Sequence, residues 1–372
     1  MSRYLFSSHD GFGLGHVRRN TLVATALLAR DPAAEVAVVT GLGVRPAWLD
    51  DPRLRVTNVP PLLKDADGAY RNGELSFEEA IGRRAEAFDA AVASFAPDVV
   101  VVDRHPYGLA GELRPGLDRA ARSGAALVLG LRDVLDEPSK VREELAGDGW
   151  AGVADRFDEV LVYGERVLCD HEAEYGLPLA PSYCGWVVER VPPRRRDPHL
   201  LVVTAGGSGD GDAVFRLGIE LAVRRPGQRA LLVAGPYATP TIAAGMLRHP
   251  SLGGRVELVR DTPGCGPLFA GAGSVVQMAG YNSTFEALAA GIRPILVPRR
   301  TPRREQAIRA SRLAALGVAD VVDEPAPADE VAWLLGRPRL LPAGALDAAG
   351  IALDGAERAA AALEALAPVA AR

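Results

Sequence analysis

The sequence predicts an α/β protein made of two doubly wound, Rossmann-like domains. Three observations carry this. Short β-branched runs alternate with longer segments of helical spacing along most of the chain. The alternation restarts after a Pro- and Arg-rich stretch at 191–198 (VPPRRRDP). Strand candidates such as 99–102 (VVVV) are apolar throughout, as strands covered on both faces of a parallel sheet are.

In the first half the strand candidates are 3–8, 35–40, 98–103, 126–131 and 159–163, with helical segments at 16–30, 77–95 and 107–123. The second half offers strands at 200–205, 230–235, 255–260, 274–278 and 294–298. A length of 372 residues is long for one core and fits this division. The expected domains are 1–190 and 191–345, with an Ala-rich amphipathic helix at about 346–367, in the terminal segment 346–372, packing back on the first domain.

Composition narrows the function classes. With 48% hydrophobic and 24% charged residues, both halves can bury a core. A net charge of -5 gives no electrostatic case for nucleic acid. Cys169, Cys184 and Cys265 are widely spaced and form no CxxC or Cys/His cluster, so neither a disulfide framework nor a zinc site is expected. Asp65-Ala66-Asp67 formally matches a D-x-D metal signature, but it sits in a polar loop without calcium-loop spacing and reads as solvated. No metal and no cofactor are expected. The opening residues run straight into a strand-like segment, and no stretch approaches about 20 apolar residues, so a cytoplasmic protein without a membrane span is expected.

The first strand candidate leads into HDGFGLGHVRRN, with Gly11, Gly13 and Gly15 before a helix. Glycines there let the backbone approach a ligand, and a helix start presents free N–H groups to an anion. The G-x-G-x-G spacing is not the dinucleotide G-x-G-x-x-G, and the second strand ends in Thr40-Gly41 where a ribose-binding acid is expected. His16, at the positive end of a helix, has its pKa lowered and stays able to accept a proton. Ligands of doubly wound sheets bind beyond the carboxyl ends of the strands. Those edges carry Asp103, His105 and Asp133. Either aspartate could orient His16, and His105 is a rival base.

In the second half, AGGSGDGD places Gly207 and Ser208 in another glycine loop before a helix, suited to cradling a diphosphate. The most informative stretch is QMAGYNSTFEALAAGIRPILVPRRTPRREQ. A strand ends at the Gly280 turn, followed by Asn282, Ser283 and Thr284 and a helix starting near Ser283. Glu286 then falls on the first turn, and Ser283-Thr-Phe-Glu286 reads as a capping box on spacing alone. Arg299, Arg300, Arg303 and Arg304 follow the next strand.

This stretch closely resembles the donor-binding segment of the GT-B glycosyltransferases of family 28, which include the peptidoglycan N-acetylglucosaminyltransferase and uncharacterised relatives. The matching residues are Gly280, Glu286, Ala289, Gly291, Pro294, Val297, Pro298 and the Glu305-Gln306 pair. The G-x-G-H loop and Tyr183-x-Gly185-Trp-Val extend the similarity across most of the chain. The resemblance implies a GT-B fold, with its two domains facing across a cleft, and metal-independent transfer from a nucleotide-diphosphate sugar to a hydroxyl or amine of a small-molecule or lipid-linked acceptor. Glu286 would bind the ribose, Gln306 and Glu305 the sugar hydroxyls, and His16 would act as base. An arginine such as Arg303 would neutralise the leaving diphosphate. Gly13-x-Gly15-His16-x-x-Arg19 also resembles the loop of nucleotide-sugar hydrolases on this fold. UDP-sugar 2-epimerases and a non-catalytic sugar-nucleotide-binding protein are the remaining alternatives.

Overall fold

The computed structural model describes residues 2–8, 14–42, 49–64, 70–206, 211–235, 254–260, 262 and 264–368. By its contacts the chain divides into two compact units, residues 1–187 with 354–372, and residues 188–353.

Unit 1 opens with β1 (Arg3–Ser7), α1 (Gly15–Arg30), β2 (Glu35–Thr40), β3 (Leu54–Asn58) and a small antiparallel pair, β4 (Leu63–Lys64) with β5 (Tyr70–Arg71). Helix α2 (Phe77–Phe95), β6 (Val99–Asp103), α3 (Arg114–Arg122) and β7 (Ala126–Arg132) follow. The unit continues through α4 (Pro138–Leu145), α5 (Val153–Arg156), β8 (Glu159–Tyr163), α6 (His171–Tyr175) and β9 (Pro181–Tyr183). Among the described residues, seven of these strands form one parallel sheet in the order β3-β2-β1-β6-β7-β8-β9. Direction through the sheet reverses between β1 and β6. The carboxyl ends of these two strands therefore flank a topological switch point.

Local chemistry explains most of these elements. All five residues of β6, VVVVD, are buried, as a central strand requires. Ser76 and Glu79 close a reciprocal capping box that starts α2. The helical spacing from 107 materialises only at Arg114, because Gly108 (φ 86°) and Gly111 (φ 83°) hold left-handed turns no helix contains. Two strands of this seven-stranded sheet that are absent from the sequence reading, β3 and β9, are its edge strands: Arg55, Val56, Thr57 and Asn58 are at least partly exposed, and β9 spans three residues.

Unit 2 contains β10 (Asp197–Thr204), α7 (Asp212–Arg224), β11 (Arg229–Ala234), β12 (Val256–Arg260), α8 (Gly266–Gly271) and β13 (Ala272–Gln277). It continues with α9 (Tyr281–Ala289), β14 (Ile295–Leu296), α10 (Glu305–Ala315), β15 (Asp320–Val321), α11 (Ala328–Leu335) and α12 (Ala345–Ala348). Among the described residues its sheet has six parallel strands, β12-β11-β10-β13-β14-β15, with a second switch point between β10 and β13. Alternate residues serve opposite faces. Val203 and Val276 pack with Phe215 and Leu232, while Val202 and Val275 pack with Phe269 and Ala287.

The single terminal helix expected at 346–367 is two. Gly350 (φ 68°) breaks the chain after α12, and α13 (Gly355–Leu366) begins five residues later and belongs to unit 1. It packs on α1, burying Ala356, Ala359, Ala360 and Leu363, and Glu364 pairs with Arg30 at 2.8 Å. Its first residue has no room for a side chain: a Cβ on Gly355 would lie 2.5 Å from the carbonyl oxygen of Gly185. Among the described residues, no helix is long and apolar enough to cross a membrane.

Candidate active site

The unit 1 switch point assembles a compact polar cluster. His16 is the second residue of α1, which leaves β1, and Asp103 ends β6. His16 Nδ1 lies 2.9 Å from Asp103 Oδ2. Arg19, one turn further along α1, brings Nη2 to 2.7 and 2.6 Å from the two carboxylate oxygens and to 3.2 Å from His16 Nδ1. The guanidinium also lies over the Tyr163 ring at the end of β8, 4.9 Å from its centroid.

Asp103 and Arg19 are buried, whereas the His16 side chain is 21% exposed. Burial pushes the Asp103 carboxyl up, but the charge of Arg19 and then that of His16 pull it down further, to about 2. It is therefore ionised at any working pH and can only accept hydrogen bonds. That fixes the tautomer: Nδ1–H donates to Asp103, and Nε2 carries the lone pair. Burial lowers the His16 pKa, Asp103 opposes the shift, and Arg19 and Arg132 reinforce it.

The other ionisable edge residues do other things. His105 and the preceding Arg104 both take left-handed backbone angles (φ 58° and 38°), a strained turn for residues with side chains. Both reach Glu144, at 3.7 and 2.9 Å. Asp133 accepts hydrogen bonds from Trp186 Nε1 (3.1 Å) and the Val134 backbone (2.8 Å). So Asp103 holds His16, and Asp133 anchors the chain after β9. Gly15 is the first residue of α1; Gly13 and the D-x-D at 65–67 lie outside the described residues.

In unit 2, α9 starts at Tyr281 rather than near Ser283. Gly280 takes the extended N-cap geometry (φ -66°, ψ 148°), so Ser283 is inside the helix and Glu286 falls on its second turn. The capping box is therefore not formed. Glu286 instead accepts the backbone N–H of Cys265, at the start of α8, at 2.9 Å. Asn282 is half-buried; Ser283 and Thr284 are buried, and the Ser283 carbonyl accepts from Gln277 Nε2 at 3.2 Å. Thr284 Oγ1 is buried without a hydrogen-bond partner among the described residues.

Glu305 and Gln306 open α10, both buried. Arg299 donates to Glu305 at 3.1 Å, while Gln306 Oε1 has no hydrogen-bond partner among the described residues. Arg303 is half-buried in the loop before them. Sequence reasoning missed Arg309, which is 1% exposed and donates from Nη1 to the Ala279 carbonyl (2.8 Å), tying α10 to the turn before α9. Its spacing of three from Gln306, which puts both on one helix face, was the available signal. Gly207 and Ser208 lie outside the described residues; α7 begins just beyond their loop.

Among the described residues, no group of three or more His, Cys, Asp or Glu is placed to hold a metal ion. The three cysteines are free and buried.

No family model and no curated protein matches the sequence. Solved structures do match over the full length. The glycotransferase of kitacinnamycin is 18% identical with a TM-score of 0.67, the match covering 99% of each chain. MurG of Acinetobacter baumannii is 13% identical with a TM-score of 0.63, covering 98% of this chain and 100% of its own. UGT71G1 of Medicago truncatula, complexed with UDP-glucose, is 13% identical with a TM-score of 0.63, covering 99% and 98%. Two doubly wound parallel sheets and this full-length likeness establish that the chain has the GT-B glycosyltransferase fold.

Proposed function

We propose that this protein transfers a sugar from a nucleotide-diphosphate donor to an acceptor hydroxyl or amine, with His16 as the base. The observation that carries the reading is the His16–Asp103 pair at the unit 1 switch point. Asp103 fixes the imidazole, and Nε2 takes the acceptor proton as the nucleophile attacks the anomeric carbon. The nucleoside diphosphate departs with the electrons of the broken C–O bond.

Unit 2 would hold the donor. Glu286 binds the ribose hydroxyls, and Glu305 with Gln306 the sugar hydroxyls; the partnerless Gln306 Oε1 favours this, since buried polar atoms are ordinarily bonded. The glycine loops with Gly13, Gly15, Gly207 and Ser208, the Gly280–Thr284 turn and Arg303 would meet the diphosphate charge without a metal cofactor. The UDP-glucose bound to one structural neighbour supports a nucleotide sugar as donor.

The test is a thermal-shift screen of nucleotides and nucleotide sugars, followed by turnover with and without acceptors. A stabilising donor that is consumed only with an acceptor supports transfer. Sugar released as fast in water alone assigns a hydrolase instead, and binding without turnover a non-catalytic role. Two further outcomes are expected. Glu286→Ala lowers nucleotide affinity about tenfold or more by calorimetry, as loss of hydrogen bonds to a charged group of about 1.5–3 kcal/mol implies; undiminished affinity would leave Glu286 a structural role, as in its bond to Cys265. Because burial holds the His16 imidazole below its ordinary range, kcat/KM stays level as pH falls to about 6.5 and drops only below it. An acid limb above that value rules His16 out as the base.

A further inference from the structure

We infer that Arg19 is a positioning residue for the reaction, fixing the charge of the His16–Asp103 pair so that the imidazole stays neutral. This rests on the proposed role of His16 as base. The geometry is specific. One guanidinium nitrogen reaches both oxygens of a buried carboxylate, at 2.7 and 2.6 Å, and stands 3.2 Å from the imidazole nitrogen that the same carboxylate engages. The side chain is 2% exposed and braced over Tyr163. An arginine held this way cannot lose its proton, so its charge is permanent.

With Asp103 ionised and Arg19 cationic, the cluster is neutral when His16 is neutral. Binding a proton makes it positive, in a site where Arg132 also raises the potential at the ring. Without Arg19 the same pair would be negative with His16 neutral, and the proton would restore neutrality. The pair would then hold a proton more tightly, and because the two groups are coupled the change belongs to both. Arg19 therefore keeps the base empty before the reaction, and positive charge develops only as the acceptor's proton arrives.

Among the described residues, the charged and titratable groups facing the ring include Asp103 from β6, Arg19 from α1 and Arg132 from β7; Tyr163 from β8 faces Arg19. The experiment is a pH titration of the His16 imidazole by NMR, with the signal assigned from a His16→Gln sample. In Arg19→Met the His16 pKa should rise by about one unit or more, the size expected for a lost charge at this distance. Arg19→Lys should keep it near the wild-type value. In Asp103→Asn it should fall, because the ring loses the carboxylate charge while Arg19 keeps its own. The opposite signs keep the test decisive even if Arg19→Met does not fold. An unmoved His16 titration in Arg19→Met, or a rise in Asp103→Asn, would overturn the inference and leave Arg19 a purely structural role. No donor or acceptor is needed, so the inference and the reading beneath it fail separately. A shifted titration in a protein whose transfer does not depend on His16 removes only the latter.

Discussion

Replacing His16 with alanine should lower turnover by about 10² or more while nucleotide affinity stays close to wild type. The size follows from what the side chain supplies. A hydroxyl acceptor is a poor nucleophile until its proton leaves, and a positioned base is worth about 10²–10⁴-fold. The selectivity follows from where His16 sits: it belongs to unit 1, whereas Glu286, Glu305 and Gln306 are built into unit 2. Asp103→Asn should share much of the loss, because an amide presents no carboxylate charge to hold Nδ1–H and to pair with Arg19. Steady-state kinetics alongside calorimetry of the nucleotide checks both. Unchanged turnover in His16→Ala would remove the base from its role, and a parallel collapse of nucleotide affinity would point to misfolding instead.

The largest stability effect is expected at Trp186. Its side chain is fully buried, its Nε1 donates to Asp133, and its carbonyl accepts the backbone N–H of Gly355 at the start of α13. Trp186→Ala should cost about 3–5 kcal/mol by removing an indole from a packed site. Trp186→Phe separates the two contributions. It keeps most of the ring volume but removes the hydrogen bond to the buried Asp133 carboxylate, for an expected loss of about 1–3 kcal/mol. Urea unfolding followed by circular dichroism measures both. A loss below about 1 kcal/mol for Trp186→Ala would show that the pocket collapses around the gap.

Much of this architecture was legible because buried parallel strands must be apolar throughout. VVVVD at 99–103 permits few other readings, and its terminal Asp103 falls at a ligand-binding edge by topology alone. Edge strands obey a weaker rule, so LRVTN and PSY passed as loop. The choice between Asp103 and Asp133 lay beyond a one-dimensional reading. Both end up buried at neighbouring strand ends, and only side-chain direction sends one to His16 and the other to Trp186. The start of α9 slipped by two residues because Ser283 and Glu286 have capping-box spacing, while Gly280 supplies the extended turn first. Arg19 and Arg309 were obscured for another reason. In a chain with only two lysines, Lys64 and Lys140, arginine is the ordinary surface cation, and the one local cue for each, a spacing of three from His16 or from Gln306, does not mark the residue as buried.

The packing of α13 on α1 has a consequence in time. Unit 2 is an insertion in unit 1: residues 188–353 separate the sheet from the helix that completes it. Translation delivers that helix after both sheets, so the helix bearing His16 and Arg19 waits with an uncovered flank while the inserted unit is made. His16 and Arg19 are thus synthesised well before the helix that braces their own. Activity in a nascent chain should therefore arrive late and in one step, when Gly355 seats against Gly185 and Trp186.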